Sequence, residues 1–207
     1  MRYVQYGCGF TAPDGWINYD ASPTLKFERM PLLGKLYTRN NQRFPASVKY
    51  GDIVVGLPEK PDSCDGIYCS HVLEHLSYND FIKALKNTYT LLKPGGIFRG
   101  VVPDLKAAVT DYMQAQDTSP SPASDLMNNT MLGVVDRNRG LGGLFKNLYG
   151  NSKHLWMWDY RSLQHELQQA GFKNIRPCVF GDCADPNFSL VEEESRFYKA
   201  AAFECTK

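Results

Sequence analysis

Within Asp65–Leu76, His71, Glu74 and His75 spell H-x-x-E-H. Two imidazoles at this spacing on a helix can hold zinc, with the glutamate as a base. The context argues against it. The helix signal begins at Ser77, after the motif, so the two rings need not share a face. A third protein ligand would also be required, and only His154 and His165 remain among the histidines, although a carboxylate could serve. The plain alternative is that both imidazoles end a strand and are satisfied by backbone groups. No metal is therefore expected, and a zinc hydrolase through His71/Glu74/His75 is the weakest of the functional readings.

A second group is Gly7-Cys8-Gly9, after the apolar run Tyr3–Tyr6, followed by Asp20. Glycines there form a tight turn or let a ligand approach the backbone, and an acid at the next strand end can bind both hydroxyls of a ribose. Asp20 follows Gly7 by 13 positions, not the ~20 of the dinucleotide pattern, and a third glycine is missing. Thr11-Ala12-Pro13-Asp14-Gly15 is too short for the helix whose N-terminus would hold a pyrophosphate. NAD and FAD are disfavoured, and a nucleoside-like ligand without phosphates is retained. At Asp20 a side-chain truncation is expected to weaken that ligand and leave folding nearly untouched.

These residues need strands that end at one edge. Candidate strands are Tyr3–Tyr6, Trp16–Tyr19, Ser47–Tyr50, Gly66–Cys69, Ile97–Val102, Asn174–Phe180 and Arg196–Cys205. Small or acidic residues at their C-terminal ends suggest a parallel α/β sheet. Gly181–Ser195 contains no convincing crossover helix, so the last strand should pair antiparallel. Ser77 can cap a helix with Asp80 as capping-box partner and Leu76/Phe81 as staple. That helix ends at Pro94-Gly95-Gly96. Asp159 can cap another over Tyr160–Ala170, closed by Gly171. Leu105–Met113 and Ala123–Leu132 are weaker helix candidates, Asp117–Pro122 is a loop, and Arg137–Gly143 reads as a loop as well.

The chain has 207 residues, 43% hydrophobic and 13% aromatic, enough for one domain with a sizeable core. With 23 Lys+Arg against 22 Asp+Glu the net charge is +1, which argues against a nucleic-acid binder. No apolar run reaches the ~20 residues of a membrane helix, and the first residues lack a signal-peptide pattern. A cytoplasmic protein without a membrane partner is expected. Six cysteines, none in C-x-x-C, suit reduced and mostly buried thiols.

The ordered set Gly7-Cys8-Gly9, Asp20, Gly51-Asp52, Asp65–Leu76, Leu91–Gly96 and Val101–Asp104 resembles a Rossmann-like S-adenosylmethionine-dependent methyltransferase. The S-H-V-L-E-H-L and L-L-K-P-G-G runs, and His154–Asp159 leading into Ala170-Gly171-Phe172, are similar to the methyltransferase type 11 group. The resemblance implies about seven mostly parallel strands with the last antiparallel, helices on both faces, and a first helix short or missing. It implies one domain over 1–207, with 105–158 as a substrate-side insertion or lid. It implies S-adenosylmethionine as cofactor and S-adenosylhomocysteine as product. Gly7 and Gly9, with Cys8 between them, would line the methionine part. Asp20, followed by Ala21, would take the ribose, Asp52 the adenine amino group, and Ile53 the ring face. Ser70 and His71 would lie near the reactive methyl.

Methyl transfer to oxygen or nitrogen often needs a base, and imidazole suits that work near neutral pH. His71, His154 and His75 are the candidates, in that order. The acceptor is expected to be a small molecule or glycan. Trp156, Trp158, Tyr149 and Phe145 could wall its pocket, and Arg137 and Arg139 could hold an anionic one, although core packing and a solvated loop are the simpler readings. A non-catalytic S-adenosylmethionine-binding protein is the competing reading.

Overall fold

The computed structural model describes residues 1–31, 34, 42–135 and 153–207. The strands are β1 (Tyr3–Tyr6), β2 (Trp16–Asp20), β3 (Lys49–Tyr50), β4 (Cys64–Ser70), β5 (Leu92–Pro103), β6 (Lys173–Pro177) and β7 (Ala200–Thr206). They form one seven-stranded sheet in the order β3-β2-β1-β4-β5-β7-β6. Pairs among β1 to β5 are parallel, and β7 runs antiparallel to both β5 and β6. The described helices are α1 (Pro23–Glu28), α2 (Tyr78–Leu91), α3 (Leu105–Gln114), α4 (Pro122–Asn129) and α5 (Tyr160–Gln169). This is the Rossmann-like arrangement expected from the sequence. Among the described residues, no helix is long and apolar enough to cross a membrane.

Alternation along the strands sorts the core into two layers. From β4, Ile67 and Cys69 join Phe98 of β5 and Phe203 of β7 beneath α2 and α5, where Phe81, Leu85, Leu163 and Leu167 are fully buried. Tyr68, Val101 and Ala202 point the other way, against Phe188 and Val191. That second face is closed by single helical turns at Pro186–Leu190 and Glu194–Phe197. The expected start of the last strand at Arg196 therefore falls inside a turn, because these residues must first cross the sheet face.

Ser77 caps α2 by accepting from the Asp80 N–H, and Asp159 caps α5 by accepting from Ser162. Asp80 answers the Ser77 hydroxyl at 2.8 Å and not the Ser77 backbone, so the capping box is incomplete. Helix α2 stops at Leu91, earlier than the glycines suggest. Leu92 already pairs with Cys64, and Lys93-Pro94-Gly95-Gly96 is a bulge within β5 before Ile97 meets Gly66. Helix α1 was not foreseen, although Ser22-Pro23 carries its signal, a cap followed by proline in the first turn. No helix stands between β1 and β2.

Arg99 on β5 is fully buried. Its guanidinium donates to Glu192, Glu204 (3.1 Å), Asp182 (2.9 Å) and the Val179 carbonyl (2.7 Å). It thereby pins the segment between β6 and β7 to the sheet. A buried ion pair that loses one partner typically costs about 3–5 kcal/mol. Arg99→Met should lower the stability measured by urea unfolding by about that amount. Arg176→Met, which removes a partly exposed guanidinium from the same carboxylates, should cost clearly less.

Candidate functional site

The C-terminal ends of β1, β2 and β4 converge on a cleft of about 580 Å³. Gly7, Asp20, Ala21, Asp52, Ile53, His71 and His75 all line it, so most of the residues singled out in the sequence meet there. Cys8 and Ser70 border a much smaller adjoining hollow with Gly7. The Cys8 thiol is buried beside Leu25, Phe44 and Val48, and burial pushes it up to about 12.

Asp20 is nearly buried and fixed on both oxygens. Oδ2 accepts from the Gly9 N–H (3.0 Å) and Oδ1 from the Ser22 N–H (2.7 Å). Its carbonyl accepts from Gly51 N–H at 3.1 Å. One residue thus ties the glycine turn, the start of α1 and the loop after β3. The expectation that Asp20 serves folding little is corrected, because two backbone donors depend on its carboxylate. An ionised carboxylate has further lone pairs for a ligand. On the far wall, Asp52 accepts from the Val54 N–H at 2.9 Å, and Asn87 of α2 clamps the Ile53 carbonyl at 2.7 Å.

The floor is set by a close approach. Gly7 has φ +66°, and a Cβ there would lie 2.1 Å from Val72 Cγ2. Val72 belongs to the turn that leaves β4, which includes a single helical turn at Leu73–His75. The turn begins at His71, whose own φ of 54° is left-handed, a conformation that costs a side-chain-bearing residue about 1–2 kcal/mol. The His71 N–H is held by the Val101 carbonyl at 2.8 Å.

His71 also lines a second cavity, of about 610 Å³, walled by α3, α4 and the loop before β7. His154 opens onto this cavity, together with Asp104, Tyr112, Met157 and Tyr198. Trp158 is core, stacked on Phe81 with ring centroids 4.1 Å apart, whereas Trp156 is exposed. Arg137, Arg139, Phe145 and Tyr149 lie outside the described residues.

Glu74 sits behind these walls with 0% exposure. His71 Nδ1 is 3.5 Å from its Oε1, and His75 Nε2 and His154 Nε2 are each 3.9 Å from the same oxygen. The motif H-x-x-E-H thus turns inward without a shared helix face, and His154, more than seventy positions on, completes the group. Chain pairing brings it there, since the N–H groups of Leu155 (2.8 Å) and Trp156 (3.2 Å) donate to the Glu74 carbonyl. Burial pushes the Glu74 carboxyl up to about 8. Burial also lowers His71 and His154 from the usual imidazole value, and for His154 the neighbouring His75 adds to the effect. The role of Glu74 as the centre of three imidazoles was not legible in the sequence.

A family model described as a methyltransferase domain matches residues 7–176. No curated protein matches the chain. Among solved structures, a SAM-dependent methyltransferase from Archaeoglobus fulgidus aligns with a TM-score of 0.53 at 15% identity, covering 100% of this chain and 86% of that one. A SAM-dependent methyltransferase from Thermotoga maritima, described as a possible histamine N-methyltransferase, aligns at 0.50 and 18% identity, covering 100% and 82%. PigF, solved with SAH, aligns at 0.52 and 18% identity, covering 100% and 50%. At these identities the likeness is one of fold.

The two glycines of the first turn should separate in experiment. Both have positive φ, but a Cβ at Gly9 meets nothing within 4 Å. Gly9→Ala should cost about 1–2 kcal/mol of conformational strain. Gly7→Ala must in addition displace Val72 and should lower the melting temperature further. Adding Val72→Ala to Gly7→Ala should recover part of that loss if the contact is its cause.

Proposed function

The chain belongs to the methyltransferase domain family, and from that premise we propose that it transfers a methyl group from S-adenosylmethionine to an oxygen or nitrogen of a small molecule or glycan. The observation that carries this reading is the position of His71, on the wall of both the strand-end cleft and the second cavity. A reaction between two ligands needs two adjoining compartments with a functional group at their border.

The cleft suits the cofactor. Asp20, immobilised by Gly9 and Ser22, offers its remaining lone pairs to the ribose hydroxyls. Ala21 continues that wall, Asp52 would take the adenine amino group, and Ile53 would pack against the ring. Gly7 and Gly9, with Cys8 and Ser70 nearby, would hold the methionine part. When bound, S-adenosylmethionine supplies an electrophilic methyl group on a sulfonium sulfur. The second cavity receives the acceptor, with segment 105–158 as its insertion or lid.

His71 is the first candidate base, ahead of His154 and His75. Burial favours its neutral imidazole, and because Nε2 meets the Arg196 carbonyl and Nδ1 faces Glu74, the ring takes an acceptor proton by turning from these partners. Glu74 lies 3.5 Å from Nδ1 and would stabilise an imidazolium only in its ionised form, which burial disfavours. Walls of Ile53, Val72 and Met157 limit water around the transfer. The free thiols and balanced charge fit a cytoplasmic enzyme with no nucleic-acid or membrane partner. A non-catalytic binder is disfavoured, because a second cavity beside the cleft has no part in binding the cofactor alone.

Calorimetry with S-adenosylmethionine or S-adenosylhomocysteine should show one site per chain. Asp20→Ala should weaken binding by about 1.5–3 kcal/mol, roughly ten- to a hundredfold. It should also lower the melting temperature, since the Gly9 and Ser22 N–H groups lose their acceptor. Binding equal to the parent would remove Asp20 from the site. With an acceptor found by screening for S-adenosylhomocysteine release, His71→Asn should reduce kcat by about 10²–10⁴. Cofactor affinity should change little, and an unchanged kcat would transfer the role of base to His154 or His75.

A further inference from the structure

We propose that Glu74, His75 and His154 bind a divalent metal ion of the zinc class in the wall between the two cavities. Nothing in this inference rests on methyl transfer. The ligand-capable atoms of these three residues all lie within 4.8 Å of one another. Two imidazoles and one carboxylate are a donor set that zinc and neighbouring first-row ions favour.

Three further observations point to a cation. First, Glu74 is fully buried, and neither of its oxygens has a hydrogen-bond partner among the described residues. Burial disfavours the ionised form of this carboxyl and pushes it up to about 8, a cost that a bound cation would offset. Second, two of the three rings turn a bare nitrogen toward it. His75 Nδ1 is 2.9 Å from the Lys153 carbonyl, which can only accept, so in the neutral ring that nitrogen carries the hydrogen. Its Nε2 then presents a lone pair to Glu74. His71 repeats the pattern, with Nε2 on the Arg196 carbonyl at 3.0 Å and Nδ1 turned to the same carboxylate. A backbone carbonyl holding the outer nitrogen of an imidazole is the usual support of a metal-binding histidine.

The third observation is the spacing. The His75 and His154 nitrogens are each 3.9 Å from Glu74 Oε1. That is too far for a shared proton, since a hydrogen bond to oxygen ends near 3.2 Å. It suits an ion between them, since bonds of about 2.0–2.2 Å at tetrahedral angles separate ligand atoms by about 3.3–3.5 Å. Each His–Glu separation would have to shorten by about half an ångström to reach that spacing, and all three ligand atoms already lie within 4.8 Å of one another. Two of the ligands also come from one short turn, and the backbone bonds from Leu155 and Trp156 to Glu74 fix the third against it. Since His75 borders the strand-end cleft and His154 the second cavity, the ion would stand beside the acceptor space.

The test uses the full chain without cofactor or acceptor. After dialysis against a chelator, zinc or cobalt is added, unbound metal is removed, and the retained metal is measured by elemental analysis. The parent should retain one ion per chain. Cobalt should give visible d–d bands without the near-ultraviolet charge-transfer band of a thiolate, which excludes the six cysteines as ligands. His75→Ala and His154→Ala should each weaken uptake by roughly a hundredfold. His165→Ala, exposed on α5, should bind as the parent does. A parent that retains no metal at about 100 µM overturns the proposal, as does a thiolate band or uptake undiminished in both ligand variants. If a ligand variant does not fold, the stoichiometry and cobalt spectrum of the parent decide. Because cofactor titration is a separate measurement, failure here leaves the methyltransferase reading intact, and the reverse also holds.

Discussion

The site depends on one steric fact, the contact of Val72 with the bare Cα of Gly7. Strands β1 and β4 are neighbours, so the turns that leave them compete for the same space. Without a Cβ at Gly7, the turn after β4 can lean across the end of β1, with Val72 Cγ2 where that Cβ would stand. In the same turn His71 is left-handed and stands at the border of the two cavities. Glu74 turns inward there, and its carbonyl receives the chain at Leu155 and Trp156. The close approach at Gly7 is thus shared by the turn that carries the cleft floor, the candidate base and the buried acid.

Two buried charges show how differently the fold treats ions. Arg99 and its carboxylates form a closed account of donors and acceptors, with a backbone carbonyl taking one of the N–H groups. Such a network holds a loop in register and has a structural role. Glu74 is equally buried, but the groups around it are imidazoles, and those of His71 and His75 point their hydrogens outward. Local rules are broken there without a compensating partner, and departures of that kind concentrate at functional sites. The strained backbone of His71 belongs to the same few residues.

Much of the sheet was legible because its signals are local. The cores of all seven strands, the caps Ser77 and Asp159, and the antiparallel return of the last strand follow from apolar runs, capping residues and connection length. The cleft residues Gly7, Asp20, Asp52 and His71 were legible because each follows a strand at its C-terminal end. What escaped is non-local. That Lys93–Gly96 bulges within β5 depends on pairing with Cys64 and on the bond from Gly95 N–H to the Lys207 carbonyl. Arg99 reads as a polar interruption of an apolar strand until Asp182, Glu192 and Glu204 converge on it. His154 stands seventy-nine positions from His75, and they are brought together by the two backbone bonds to Glu74 and by the bond between His75 and the Lys153 carbonyl.

The acceptor side is built on a different principle from the cofactor side. Cleft residues sit on strand ends whose register is fixed by the sheet. The segment from α3 to α5 leaves and rejoins the sheet edge at one place, where Asp104 bridges Trp158 in parallel. There the Leu105 N–H donates to the Trp158 carbonyl at 2.8 Å, and the Asp104 N–H to the Lys199 carbonyl at 3.0 Å. Trp158 is anchored in turn by stacking on Phe81 of α2. Entry and exit are thus clamped together, apart from the strand ends that carry Asp20, Gly7 and Asp52. Among the described residues, a further tie lies just before the clamp, where His154 stands 3.9 Å from Glu74, the Lys153 carbonyl meets His75, and Leu155 and Trp156 donate to the Glu74 carbonyl. It is therefore the point at which the contents of the acceptor cavity and the geometry behind His71 are mechanically joined.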